Sequence, residues 1–399
     1  MTHREVLISG AGLAGPALAH QLHRRGFRPT VVERAPALRD GGYKVDIRGA
    51  ATDVLKRMGL YAAARAADTG MRHVTYVRRD GRRIARLDAD LLMGRRGDDL
   101  EVMRTDLTRI LYDATAADVE YVFGDSIATM TDGPDGVDVT FAGGATRRFG
   151  LVVAADGLHS ATRRLAMGEV PLRHLGAYIA IFDVPNELGL DREEVFYSEP
   201  GRMVFAYATG PGVPAKVGMV FGAGEPGLGR EVLADRFTGM GWQVPRFLEV
   251  LRDTRDVYFD SLSQVEVPRY SAGRVALLGD AAHCPSPSAG QGTSMALVGA
   301  YLLAGELAAA GGDHRAAFDS YEARLRPYVE HNLAFGVKMA GDMVPGGRLS
   351  LAVRNYGMRT LKYNPLKRQI IDKVTQPLRD AADAIELPSY PATCWSAPS

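Results

Sequence analysis

The sequence predicts an α/β protein: a parallel sheet assembled from distant segments, an inserted and mostly antiparallel domain, and a helical tail. Three observations predict it. Short apolar strands of the buried, parallel type occur at 5–9, 151–155 and 275–278, far apart in the chain. Each ends at a glycine-bearing turn. A strand-rich block, 172–265, lies between the last two. A chain of 399 residues has room for two such domains.

The elements justify this in order. Val6-Leu7-Ile8-Ser9 is the first strand, Ala14–Arg25 a helix stopped by Gly26, and Pro29–Glu33 the second strand. Residues 50–66 show helical spacing through Val54, Leu55, Met58 and Leu60. Residues 73–91 form short strands around Asp80-Gly81. Asp106–Ala116 is a helix, with Thr105 as its cap. Glu120–Phe149 alternates, with turns at Asp132-Gly133 and Gly143-Gly144, and predicts a meander that leads into Leu151–Ala155.

Strand-like segments follow at Ala177–Asp183, Glu194–Tyr197, Met203–Thr209 and Lys216–Phe221, with one helical stretch at Arg230–Phe237. After Gly273 the α/β pattern returns. The tail from about Leu349 is helical and rich in Arg and Lys. The expected division is a nucleotide-binding domain from 1–72, 100–171 and 268–345. A substrate domain comes from 73–99 and 172–267, and a helical segment from 346–399.

Composition bounds the function. The chain is 46% hydrophobic and 24% charged, with 48 basic and 47 acidic residues. A net charge of +1 gives no bulk attraction to nucleic acid or anionic lipid. Two cysteines, Cys284 and Cys394, argue against a disulfide scaffold and for a reducing compartment. The chain enters its first strand without a signal-peptide pattern, and it has no run of about twenty apolar residues. The expectation is a cytoplasmic monomer or homodimer with no nucleic-acid or membrane partner.

Three motifs carry chemistry. In Gly10-Ala11-Gly12-Leu13-Ala14-Gly15, the first glycine allows a tight turn, the second a close approach by pyrophosphate, and the third helix–strand packing. The helix N-terminus adds unpaired N–H groups. Glu33 stands where a carboxylate accepts from ribose hydroxyls, which together predicts dinucleotide binding. Arg34 either neutralises phosphate or lies on the surface.

The second motif is Asp156-Gly157, followed by His159-Ser160 and Arg163-Arg164. Its carboxylate either accepts from hydroxyls or caps the next helix. The third is Gly279-Asp280, followed by Pro287 and Gly290-Gln291-Gly292. An ionised aspartate at a strand's C-terminal edge suits a polyhydroxyl chain. His283 and Cys284 read as packing residues, and no metal site is expected.

The trio GAGLAG, AADGLHSATRR and GDAAHCPSPSAGQG resembles the class A FAD-dependent aromatic monooxygenases, the para-hydroxybenzoate hydroxylase fold. The resemblance covers most of 4–340. It looks most like the compact members, tetracycline-inactivating monooxygenases and small aromatic polyketide hydroxylases. It implies a Rossmann-like FAD-binding domain in which Asp280 binds the ribityl chain of FAD. Gly290, Gln291 and Gly292 would lie beside the flavin ring, and Pro287 would pack near it. Asp156 would serve FAD and a transient NADPH or NADH, and Arg104 would reach the FAD phosphates. Asp46 and Arg48, in the Gly41–Arg48 stretch, are candidates near the flavin; the alternative is a surface salt bridge.

The implied reaction uses NAD(P)H and O2 to form a C4a-hydroperoxide that hydroxylates a small-molecule phenolic ring, with water excluded. The role would be antibiotic biosynthesis or resistance. No catalytic side chain is identified. Tyr178, Tyr197, Phe205, Tyr207 and Phe221 are candidates to line an apolar pocket for a polycyclic substrate. Alternatives on this fold are an FAD-dependent reductase or dehydrogenase and a Baeyer–Villiger oxygenase. A flavin-dependent halogenase fits poorly, because Gly241-Trp242-Gln243-Val244-Pro245 lacks the second tryptophan of that motif.

Overall fold

The computed structural model describes residues 4–39, 41–361 and 363–390. Its centre is a six-stranded sheet in the order Ser271–Ala272, Val275–Leu277, Leu151–Ala154, Glu5–Ser9, Arg28–Glu33, Glu120–Phe123. All neighbours are parallel except the first pair. The three distant apolar strands therefore lie side by side, with Val6 opposite Leu151 and Val152 opposite Val275.

These strands read as unbroken apolar runs because both faces are covered. Leu7, Val32, Val152 and Val275 pack on the Ile127–Gly133, Gly136–Phe141 and Thr146–Phe149 strands, through Val137, Val139, Phe141 and Phe149. Val6, Ile8, Val31, Val153 and Ala276 face the helices Ala14–His23, Gly292–Ala309 and His314–Met343. The Gly292–Ala309 helix is long and apolar enough to cross a membrane by length and composition alone. Here 89% of it is buried inside the protein, as its position in this core requires.

Four local expectations change. Glu120–Phe123 is not the first strand of the meander; it pairs parallel with Arg28–Glu33, with Thr30 opposite Glu120. Alternation reports a strand but not its partner. The 50–66 helix breaks at Gly59, whose φ of +80° ends Ala50–Met58 before Tyr61–Ala66 begins. The Arg104–Asp113 helix starts earlier than expected, so Met103 holds the cap position and Thr105 lies inside. A further helix, Val244–Asp253, joins the strand-rich block; Pro245 sits in its first turn, where its missing N–H is harmless.

A seven-stranded sheet takes strands from two stretches of chain. Its order is Tyr258–Gln264, Arg173–Val184, Ala215–Gly222, Arg202–Ala208, Glu193–Glu199, His73–Val77, Arg83–Asp88. It is antiparallel except where Glu193–Glu199 meets His73–Val77. The short pair Lys44–Ile47 and Leu100–Met103 lies between the two large sheets in sequence. In the tail, the Arg348–Leu361 helix packs on the Arg83–Asp88 edge, and the Lys367–Ala382 helix packs on His314–Met343.

Candidate active site

Parallel sheets present ligand sites beyond the C-terminal ends of their strands. Three such ends meet here. At the first, Gly10 has φ +108°, and a Cβ there would stand 2.6 Å from the Ala155 carbonyl oxygen. A Cβ on Gly15 would stand 1.9 Å from the Gly10 carbonyl oxygen. Neither position admits a side chain without moving backbone. Gly12 is open, its nearest neighbour being the Arg104 guanidinium at 3.9 Å from an added Cβ. Leu13 and Ala14 are buried at the helix start. Glu33 accepts from the N–H groups of Ala11 (2.9 Å) and Ala35 (3.0 Å), which ties the next strand's end to the glycine turn. Arg34 is exposed beside it.

At the second end Asp156 is already engaged. One carboxylate oxygen accepts from the Ser160 hydroxyl, the other from the N–H and hydroxyl of Thr162 at 3.0 Å each. Gly157 turns the chain at φ +88°. The helix that follows is capped by Ser160, whose hydroxyl oxygen accepts from the Arg163 N–H, and Asp156 braces that cap through Ser160 and Thr162. Arg163 donates to the carbonyls of Ala281 and Leu158, both at 2.9 Å, and so braces the second strand end against the third.

At the third end Gly279 has φ +62°, and an added Cβ would stand 3.1 Å from the Ala14 Cβ. Asp280 follows. Pro287 opens a short turn, Pro287–Ala289; Gly290 adopts φ +63°; and an added Cβ on Gly292 would stand 3.5 Å from Asp280 Oδ1. Gln291 is fully buried, with neither amide atom hydrogen-bonded. Burial raises the Asp280 pKa, and Arg104 opposes that rise. Burial opposes the charge on Arg104, but Tyr43 and Asp280 outweigh it and hold its pKa above the usual value. Arg104, which faces Gly12 at the first strand end, and Asp280 at the third thus favour each other's charged form.

The Gly41–Arg48 stretch runs beside this pair. The Tyr43 carbonyl accepts from the Arg104 N–H at 3.0 Å, and the Tyr43 and Tyr258 rings lie 5.5 Å apart. Arg48 lies 3.0 Å from Asp46 and 4.0 Å from Asp99. It is 2% exposed, with Nε and Nη1 unbonded, so it is a buried group and not a surface salt bridge.

The sequence reading missed a buried charge cluster next to it. Lys44 Nζ donates to Glu194 (2.7 Å) and lies 3.1 Å from Glu101, while Arg95 lies 3.5 Å from Glu101. Burial opposes charge on Lys44, but Glu194 and Glu101 keep it protonated. Burial pushes Glu194 up, against the pull of Lys44. Lys44 and Glu194 are 150 residues apart, and no local signal links them.

The five aromatic candidates divide by strand phase. Tyr178, Tyr197 and Phe221 lie on the sheet face packed under Leu233, Phe237, Val244 and Phe247 of the Leu233–Phe237 and Val244–Asp253 helices. The Tyr178 ring stacks on Phe221 and Phe259, and its hydroxyl donates to the Glu225 carbonyl. These three fill a core, because the expected helix ending at Phe237 and the unexpected Val244–Asp253 helix together cover them. Phe205 and Tyr207 lie on the other face with Phe196, Tyr76 and Met103. Phe205 also packs in the cluster that contains Tyr43 and Tyr258. Its ring lies over Gly218, where any Cβ would collide with it. The Tyr207 hydroxyl accepts from the Lys44 N–H at 2.9 Å.

His283 is 1% exposed and packs on the Tyr270 ring at 5.5 Å; burial lowers its pKa to about 4. Cys284 is buried, and burial raises its thiol pKa well above the usual value, which leaves no thiolate for chemistry. Cys394 lies outside the described residues. Among the described residues, no group of three or more His, Cys, Asp or Glu is placed to hold a metal.

The model of the FAD binding domain family matches residues 3–198 and 255–335. The chain belongs to this family. A flavin-dependent monooxygenase from an unidentified prokaryote is 38% identical over 396 residues, covering 97% of this chain and 99% of the relative. Among solved structures, tetracycline destructase Tet(55) is 37% identical, covers 98% of this chain and 100% of its own, and has a TM-score of 0.85. Tetracycline destructase Tet(51) is 35% identical, covering 97% and 100%, also at 0.85. This protein is an FAD-dependent monooxygenase, with the fold and cofactor that the three motifs predict. The monooxygenase's family match skips 199–254, which holds the two helices that cover Tyr178 and Phe221.

Proposed function

We propose that this monooxygenase hydroxylates a polycyclic phenolic substrate of tetracycline-like size, with NADPH or NADH as transient reductant. The observation that carries the reading is the likeness to two tetracycline destructases along the whole chain, at 35% and 37% identity. The aromatic face around Phe205 and Phe196 gives it a physical basis, because flat rings stack on flat rings.

The residues fit FAD. The glycine turn leaves a side-chain-free cradle at Gly10, Gly12 and Gly15, with Leu13 and Ala14 opening the helix whose N–H groups suit pyrophosphate. Glu33 would accept from ribose, and Arg104 and Arg34 would balance phosphate charge. Asp280 would bind the ribityl hydroxyls. Gly279, Pro287, Gly290 and Gly292 would leave room at the ring, and the unpaired amide of buried Gln291 would gain partners there. The unbonded nitrogens of Arg48, steered by Asp46, are a second unmet donor set at this edge. Asp156 and Gly157 would hold the wall's shape. When bound, FAD supplies the activation of oxygen and its transfer to substrate. The protein's part is to orient the ring systems and exclude water.

The proposed division of labour follows the two large sheets, with FAD on the parallel one and substrate over the Phe205 face of the other. The resemblance to tetracycline destructases makes drug inactivation the first role to test. NAD(P)H and oxygen consumption is measured against tetracyclines, polycyclic phenols and benzoates, with product mass and fragmentation. Substrate-dependent NAD(P)H use with gain of one ring-bound oxygen supports the reading. Turnover confined to benzoates refutes the substrate class. Oxidation without oxygen gain points to a reductase, and a lactone product to a Baeyer–Villiger oxygenase.

A further inference from the structure

The large apolar side chains left exposed are not scattered over this protein. Among the described residues outside 349–374, only Leu165, Val213 and Val337 are prominent, and none exceeds 42% exposure. Within the tail, Leu349, Val353, Tyr356, Leu366, Ile370 and Val374 are 40–79% exposed. Their spacing is helical. The Arg348–Leu361 helix turns Leu351 inward and shows Leu349, Val353 and Tyr356 at i, i+4 and i+7. The Lys367–Ala382 helix buries Ile371, Thr375 and Ala382, and shows Leu366, Ile370 and Val374 at i, i+4 and i+8. Each helix thus packs on the body on one side, the first with Leu351 alone buried, and carries an apolar stripe facing outward. Folding explains only the packed side.

The charge around the outer stripes is one-sided. Arg348, Arg359, Lys367, Arg368 and Lys373 are exposed there. The two helices hold two acidic residues: Asp372, paired with Arg96 and Arg379, and exposed Asp380, which accepts from Gln376. The whole-chain balance of +1 hides this local excess. A second copy docking through the same face would set like charge against like charge. An apolar stripe flanked by Lys and Arg matches an anionic bilayer surface, where apolar side chains enter the headgroup boundary and basic ones meet lipid phosphate.

We propose that the tail helices form an interfacial membrane-docking surface for anionic lipid. The protein lies on the bilayer through the outer stripes of Arg348–Leu361 and Lys367–Ala382. The inner side of the first helix meets the aromatic face, with Arg354 6.0 Å from the Tyr76 ring centroid. Docking therefore brings the substrate sheet next to the lipid.

The test uses the full-length FAD-loaded protein and co-sedimentation with phosphatidylcholine vesicles, with and without phosphatidylglycerol, at low and high salt. Light scattering gives the mass in parallel. The expected result is binding to phosphatidylglycerol vesicles that weakens several-fold at high salt, with a monomer mass in solution. Val353→Glu/Val374→Glu and Arg359→Glu/Lys367→Glu/Lys373→Glu should each weaken binding by more than about tenfold, with flavin absorbance and thermal midpoint unchanged. Absence of binding to anionic vesicles overturns the proposal, as does equal binding to neutral ones. A dimer that Val353→Glu/Val374→Glu dissociates assigns the face to a second copy and also overturns it.

Discussion

The parallel sheet and the seven-stranded sheet expose their chemistry differently. On the parallel sheet, what matters lies at strand ends, where Gly10, Asp156 and Asp280 close three runs of apolar residues. On the seven-stranded sheet it lies on one of two faces. Phe205 and Phe221 belong to adjacent strands, are both aromatic, and point to opposite sides. End positions are marked by a change of residue type. Face positions are marked only by phase, and phase alone does not say which side is the cleft.

Truncation on each face tests that difference. Phe221→Ala empties a fully packed site and should cost about 3–5 kcal/mol of stability, read from denaturant midpoints, with KM unchanged in the protein that remains folded. A loss of substrate affinity at full stability would place the cleft on the helix-covered side. Lys44→Met should cost a similar amount, about 3–5 kcal/mol at neutral pH, because it leaves Glu194 buried without its cation and Glu101 with Arg95 alone. In that variant the carboxyls take up protons on folding, so the loss should shrink as pH falls. An equal loss at every pH would show that packing, not charge, is what Lys44 supplies.

Much of the parallel sheet was readable because its logic is local. The glycine turn, the acidic strand end and the helix that follows stand within a few residues of one another, and the match to FAD binding domains covers the same segments. What stayed hidden depends on pairing. Glu120–Phe123 alternates like a meander strand, yet its partner is Arg28–Glu33. Val244–Asp253 opens with Val-Pro, which reads as a loop until proline's fitness for a first turn is weighed. That helix joins Leu233–Phe237 in burying the Tyr178 and Phe221 face. The Lys44–Glu194 contact spans sheets and 150 residues, and neither residue is unusual in its own segment.

A third, smaller effect separates the core of the parallel sheet from its ligand edge. His283 follows Asp280 by three residues but faces inward to Tyr270. Burial lowers its pKa from 6.5 to about 4, so the unfolded chain binds the proton more tightly. Its stability contribution is therefore complete above pH 6.5 and lost as pH falls towards 4, by roughly 3 kcal/mol. His283→Met should flatten that part of the stability–pH curve and leave FAD affinity unchanged. A curve that keeps its slope would assign the acid sensitivity elsewhere, His20 being the other buried histidine lowered to about 4.

The smallest expected stability change is on the face proposed to meet substrate. Phe205→Ala should cost about 1 kcal/mol, since the ring is only partly packed. It should raise KM and divert more reduced flavin to hydrogen peroxide. Unaltered coupling of NAD(P)H use to product would remove this face from substrate binding.

The central claim is that distant strand ends converge on one FAD, held at its sugar-alcohol chain by Asp280. Titration of FAD into purified Asp280→Ala, followed by visible absorbance, tests it most directly. Loss of charge-assisted hydrogen bonds should weaken FAD by at least about tenfold, giving a folded but nearly colourless protein whose far-ultraviolet spectrum is unchanged. A yellow variant that keeps FAD as tightly as the parent would contradict it.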